Sequence, residues 1–506
     1  MSIASLALLD VNRIKDFIFA APYLREIRGS SRLLAQFNDP DQVKKSLDQK
    51  HGKLLYAGGG SVLARFPSKY DADEFIRAEH QRLEAKTRGG ATLTGISCEI
   101  GADDFGLAVL NAQAQLRFAK SSRSLPTRHP ISFLLKPCQS CGERPSQEYN
   151  ETKKRHVCIV CDLRIAEGGL VEARELYSRF REGFPTEAKS KWQSAHNPAD
   201  LESLAATSKN YIGLIRADGN ALGNRIKHLA EIGDEGLFGA FSEKCRQVTE
   251  DSILMALRKA YPEPRRTRGP GMIFPFEFVL LGGDDLQLIV TGDKAIHIAN
   301  VFCEEFTLRM RDFAIEARRP NLAVSMSAGV VFAQSSYPIS SLDRLGEQLL
   351  RSAKARSRRD SPVSILPTVD FMVVTSSLIG DLASIRRQYV KQRHCFTRRP
   401  YSLPELNLLT TAITKMKYTN APAKPFPHNK LQTLRDLFFP FQGPRSARLD
   451  YDVLQLRLSD EHREMLKLAA SLEAECDGPW RDVEDPSLGY DCDTSLADVV
   501  ELYEFV

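Results

Sequence analysis

The chain has 506 residues, 42% hydrophobic and 26% charged, with a net charge of +5. That length is too great for one compact core and predicts roughly three or four domains in an ordinary globular protein. The small charge permits a polyanionic partner such as RNA or nucleotides without requiring one. No uninterrupted apolar run reaches the roughly 18–20 residues of a membrane helix, which excludes a membrane partner of that kind. Met1–Val11 is apolar but lacks a basic leader and meets Asp10 early, so a secretory signal is not expected and the predicted location is cytoplasmic.

Taken in chain order, Leu6–Leu9 is an apolar run that ends in Asp10-Val11-Asn12, with helical patterning to about Phe37. Leu54–Ala57, the turn Gly58-Gly59-Gly60-Ser61 and Val62–Phe66 form a predicted β-hairpin. A helix (about 70–88), a strand (about 91–100) and a helix (about 106–120) follow. The same order then returns. Tyr211–Ile215 is a strand ending in Asp218-Gly219-Asn220, followed by helical segments over about 221–232 and 238–260. Phe276–Leu281 leads into Gly282-Gly283-Asp284-Asp285, and Leu286–Val290 leads out. A helix (about 293–316), a strand (about 322–333), a helix (about 341–358) and a strand (about 362–366) complete the copy. The predicted fold class is α+β: two ferredoxin-like palms flanking a zinc module, with a mainly helical C-terminal domain. The expected boundaries are 1–130, 131–205, 206–370 and 371–506.

The Gly-Gly-Asp-Asp turn carries the most chemistry. Adjacent carboxylates on a tight turn repel unless a cation compensates them. The glycines clear side chains so that a triphosphate can approach. Asp218 ends the neighbouring strand, so Asp218, Asp284 and Asp285 are predicted to converge as catalytic groups and as ligands of two Mg²⁺ or Mn²⁺ ions. The plain alternative is a solvated hairpin, since Asp and Gly favour turns. Lys354, on the helix after Ser327-Ala328-Gly329-Val330, is read either as a point charge for a β- or γ-phosphate or as a surface lysine. Gly29-Ser30-Ser31 is read as hydroxyl contacts to a base or ribose, with Ser30 at their centre, or as a helix N-cap.

Cys138-x2-Cys141 and Cys158-x2-Cys161, sixteen residues apart, form a four-thiolate Zn²⁺ pattern whose closed shell leaves no place for substrate. Its expected role is to staple the palms. The other six cysteines are scattered and read as reduced core residues. Basic clusters at Lys153–Arg155, Arg265–Arg268, Arg356–Arg359 and Arg386–Arg399 are read either as solvated faces or as tracks for a phosphate backbone.

Together, Ala217-Asp218-Gly219-Asn220, Gly282-Gly283-Asp284-Asp285, Ser327–Val330, Ala353-Lys354 and the four cysteines resemble the large polymerase-like subunit of type III CRISPR effector complexes over about residues 3–370. The resemblance implies an enzyme that converts ATP to cyclic oligoadenylates in antiviral defence. Asp218, Asp284 and Asp285 would be metal ligands, and Gly219, Gly282, Gly283 and Lys354 nucleotide contacts. CRISPR RNA, target RNA and other complex subunits are the implied partners. The first palm has Gly60-Ser61 where the second has Asp284-Asp285, and would hold an acceptor nucleotide or pair structurally. No His-Asp dipeptide occurs, so DNA cleavage by a histidine-aspartate nuclease domain is not expected.

Overall fold

A computed structural model describes residues 3–101, 104–122, 135–169, 175–266, 271–360, 366–374, 381–417, 424–438, 443–472, 478–483, 485 and 488–506. It is a mixed α+β structure with several sheets.

The first copy comprises β1 (Ser5–Asn12), α1 (Ile14–Ile18), α2 (Leu24–Phe37), β2 (Lys53–Gly58), β3 (Ser61–Phe66), α3 (Lys69–Thr87), β4 (Thr92–Glu99) and α4 (Phe105–Ser122). A short helix, Pro40–Asp48, precedes β2. Its four strands lie in the order β2-β3-β1-β4, all antiparallel. The apolar residues of Leu6–Leu9 are buried, which is why this run sits at the centre of the sheet.

The second copy follows the same plan after an intervening segment that contains helix α5 (Ile159–Gly169). It has β5 (Tyr211–Gly219), α6 (Leu222–Ile232), α7 (Glu235–Ala260), β6 (Phe276–Gly282), β7 (Asp285–Thr291), α8 (Ala295–Glu316), β8 (Met326–Gln334) and α9 (Ile339–Asp360). The sheet order β6-β7-β5-β8 repeats that of the first copy. Here β9 (Thr368–Val373) adds on in parallel to β8, and β10 (Tyr401–Ser402) adds on antiparallel to β9. The expected strand covered about 362–366, and the described one is Thr368–Val373. Residues 362–365 lie outside the described residues, and Pro367, which has no N–H for a ladder, immediately precedes the observed strand. Beyond β10 come the helices Leu403–Lys417, His428–Phe438, Pro444–Leu456, Asp460–Ser471 and α10 (Leu496–Leu502), and a small four-stranded sheet joins Val390–Lys391 and His394–Cys395, before β10, to Arg481–Asp482 and Cys492–Asp493.

The two copies are joined through the segment between them. Helix α5 crosses α2 where Gly29 lies against the Arg164 carbonyl and Gly168 against the Arg25 carbonyl, contacts that leave no room for a Cβ. Gly29-Ser30-Ser31 is thus neither an N-cap nor a ligand loop. It lies inside α2, Ser30 is fully buried, and its hydroxyl donates to the Glu26 carbonyl at 2.9 Å. Farther on, Phe180 packs on Phe274 and Phe276, and Trp192 on Phe274, at ring separations of 4.9–6.1 Å, fixing the same segment to the start of β6. A buried ion pair crosses directly between the copies: Arg28 of α2 donates to Glu277 of β6 at 2.5 Å, with Asn197 and the Pro198 carbonyl completing the shell.

Candidate active site

Strand pairing brings the two acidic segments of the second copy together. Ala217 is in register with Leu286 on one side, and Asp218 with Ser327 on the other. The β6–β7 turn is tight, with Gly283 at φ +64°. These constraints put Asp218 beside the turn: the Gly219 amide donates to Asp284 Oδ2 at 3.1 Å. Lys354 of α9 donates to Asp218 Oδ2 at 2.5 Å and to the Gly219 carbonyl at 2.9 Å. Asn220, buried, holds the loop after β5 by donating to the Ser325 and Ser327 hydroxyls at 2.8 and 2.9 Å.

Asp218, Gly219, Asp284, Lys354, Arg358 and the start of α6 line a cleft of about 480 Å³. Three carboxylates crowd its rim, and the electrostatics reflect that. Burial, then the charge of Asp218, hold the Asp284 carboxyl well above the usual aspartate range, with Lys354 opposing. Burial and Asp218 also push Asp285 up to about 6, against the pull of Arg216, Lys15 and Lys354. Two desolvated carboxyls beside a third are thus costly to ionise together without added positive charge. That is the condition under which carboxylates accept a hard divalent ion, and oxygen donors suit Mg²⁺ or Mn²⁺.

Asp218, Gly219, Asp284 and Lys354 come together at the cleft, with Asp285 adjoining. Gly282 and Gly283 do not line it. Their freedom from side chains serves another close approach, by the glycine turn of the first copy. A Cβ on Gly282 would lie 2.6 Å from the Gly59 nitrogen, and one on Gly58 would lie 3.2 Å from the Gly283 nitrogen. Tyr56, whose hydroxyl donates to the Gly58 carbonyl at 2.8 Å, sits against Gly283. Ser30, inside α2, takes no part.

Several residues of this region escape a reading by motif. Arg358 lies one helical turn beyond Lys354, so helical spacing was the available signal. Arg216 precedes Asp218 by two residues, and strand alternation sends both to one face. The first copy also keeps a counterpart: Lys120 of α4 bonds Asp10, and Thr94 donates to Asn12 at 2.8 Å. The registers Asp10–Ser61 and Asp10–Thr94 give Asp10 the sheet position of Asp218.

The sulfurs of Cys138, Cys141, Cys158 and Cys161 all lie within 4.8 Å of one another, Cys141 and Cys158 at 4.0 Å. A tetrahedral S₄ shell with Zn–S near 2.3 Å needs sulfurs about 3.8 Å apart, so the donor set fits Zn²⁺.

Residues 211–363 match the family described as Cas10/Cmr2, second palm domain. No curated protein matches the chain by sequence. Among solved structures, it is similar to the Csm1–Csm4 cassette in complex with cA4, at TM-score 0.61 and 14% identity over 99% of this chain and 69% of that one. The Csm1–Csm4 cassette in complex with one ATP gives a TM-score of 0.58 and 13% identity over 100% and 70%. The Csm1–Csm4 subcomplex of the type III-A CRISPR-Csm interference complex gives 0.56 and 15% over 99% and 69%. At such identities the likeness is one of fold. The family match thus identifies residues 211–363 as a Cas10/Cmr2-type second palm, and along its length the chain shares the fold of these Csm1 structures.

Proposed function

We propose that this chain is a metal-dependent nucleotidyltransferase that condenses ATP into cyclic oligoadenylates for antiviral signalling. The observation that carries the reading is the meeting of Asp218 with the Asp284–Asp285 turn at the mouth of a cleft that also presents Lys354 and Arg358. The solved relatives in complex with cA4 and with ATP support the choice of substrate.

In this reading Asp218, Asp284 and Asp285 hold two Mg²⁺ or Mn²⁺ ions, which when bound supply activation of a ribose 3′-hydroxyl and charge stabilisation for the departing pyrophosphate. Lys354 now neutralises Asp218. With the carboxylates taken up by cations, its ammonium turns to a phosphate, and Arg358 extends the same basic face. Gly219, whose added Cβ would meet Asp284 Oδ2 at 2.7 Å, keeps the cleft floor clear. Gly282 and Gly283 seat the acidic turn against the first palm. Zn²⁺ on Cys138, Cys141, Cys158 and Cys161 is structural, and the chain divides near residues 130, 205 and 370. A Csm4-like subunit, CRISPR RNA and target RNA are the partners this function implies.

The test is product analysis. Purified protein given ATP with Mg²⁺ or Mn²⁺, with and without target RNA, is expected to yield 3′–5′ linked oligoadenylates by mass spectrometry. Asp284→Asn should lower the yield by roughly 10³-fold or more, the scale of an electrostatic stabiliser removed from a transition state. A cyclic mono- or dinucleotide would redirect the assignment. No product from any nucleoside triphosphate, with RNA affinity indifferent to the three aspartates, would make the chain a scaffold.

A further inference from the structure

Besides the Arg28–Glu277 pair, and the pairing of Lys53 and Arg65 with Glu235, a polar path joins the two palms close to their glycine turns. It starts in α1, a five-residue helix of the first palm. Ile14 packs beneath Gly60 so closely that no Cβ fits there, and the Val11 amide donates to the Gly60 carbonyl at 2.9 Å. Helix α1 is therefore a brace under the first palm's glycine turn. The next residue, Lys15, leaves that palm and donates to Glu347 Oε2 on α9 of the second palm at 2.9 Å. The same oxygen lies 3.3 Å from Arg216 Nη1. Arg216 is 3% exposed, also bonds Asp343 at 2.9 Å, and its Nε is buried with no partner among the described residues. Gln287, its cross-strand neighbour, donates to Asp343 at 2.6 Å. The path thus runs from the brace under one turn to the strand that leads out of the other.

We propose that Lys15 is a positioning residue lent by the first palm: its ion pair with Glu347, tied through Arg216 to the strands carrying Asp218 and Asp285, keeps the two glycine turns in contact, so that docking of the first palm completes the acidic site. The ion pairs of the first palm's hairpin to the second palm, Lys53 and Arg65 with Glu235, lie at its open end, and at the turn itself Gly58-Gly59 meets Gly282-Gly283 through backbone, with Tyr56 packed against Gly283, so a charged side-chain hook there would add hold. The latch supplies one. Lys15 and Glu347 are about one-third exposed, at 35% and 29%, so the pair can open and close without unfolding either palm.

The experiment is amide hydrogen exchange on the full chain, comparing Lys15→Met, Lys15→Arg and Glu347→Gln with the parent. Breaking a partly exposed pair should speed exchange at Gly58, Gly59, Gly282 and Gly283 by about fivefold, the factor that corresponds to about 1 kcal/mol. Lys15→Arg should restore parental exchange, because it keeps the charge and the reach. The α8 amides of the second palm should not change. Parental exchange at the turns in both charge-removing variants would overturn the proposal, and so would uniform acceleration through α8, which would make Lys15 an ordinary stability residue. Because no turnover is read, a chain that makes no nucleotide product can still show the latch, and an active chain can still lack it.

Discussion

Asp285 is held near pH 6 by burial and by the charge of Asp218, whereas an aspartate in an unfolded chain titrates near 3.9. Between about pH 4 and 6 the folded chain therefore keeps a proton that the unfolded chain has lost, and stability falls as pH rises through that window. A divalent ion on the same carboxylates competes with that proton. The rise in Tm on adding Mn²⁺ is expected to be full at about pH 7.5 and to shrink as pH drops through about 6. Thermal unfolding with and without Mn²⁺ at three pH values checks it, and a constant increment would mean that the ion sits elsewhere. Asp284→Asn removes one of three mutually repelling charges. It should raise the metal-free Tm by a few degrees, on the order of 1 kcal/mol, while abolishing the Mn²⁺ increment. A destabilised variant would show that the Gly219 amide bond to Asp284 outweighs the relief of repulsion.

At the scale of elements, the paired glycine turns set the tolerance of the site. Gly282→Ala places a methyl 2.6 Å from the Gly59 nitrogen, a backbone atom that cannot step aside. The variant is expected to lose about 1–3 kcal/mol in denaturant unfolding, the usual range for an overpacked contact. Gly223→Ala, at a position with open space around it, serves as the control. Much of this architecture was legible in the residues. Strands such as Ile212–Ala217 and Ala328–Val331 are buried on both faces, so their apolar runs stand out between Gly and Asp turns. The convergence of Asp218 with Asp284–Asp285 followed from the repeated strand order. What a linear reading missed depended on a second surface. Gly29-Ser30-Ser31 looks like a cap until α5 crosses it and demands small residues. Gly282-Gly283 looks like space for phosphate until another glycine turn occupies that space. Arg216 lies in an apolar run where nothing local shows the two carboxylates of α9 waiting for it. Most of the strand expected over about 362–366 lies outside the described residues, and the described strand starts at Thr368, just past Pro367.

Across the whole molecule, the four-cysteine cluster is set where the intervening segment meets α2: Glu26 bonds Arg155 and Ser140 beside it, and α5 begins between its last two thiols. Losing one thiolate should therefore loosen more than the local turn. Cys158→Ser is expected to lower Tm by several degrees, to release one equivalent of Zn²⁺ in a colorimetric chelator assay, and to increase proteolysis between residues 135 and 205. Unchanged metal content would remove zinc from this account.

The Arg28–Glu277 pair, sealed between a helix of one copy and a strand of the other, has a consequence for how such a gene can change. If either side chain were lost while the copies stayed docked, the other would remain as a lone buried charge, at a cost of about 3–5 kcal/mol. If the polypeptide were instead severed between the copies, both charges would be hydrated, and the two fragments would keep matched surfaces for reassociation. The copy without the acidic pair is therefore tied to its neighbour position by position: a change at Arg28 or at Glu277 is tolerated best when both change together.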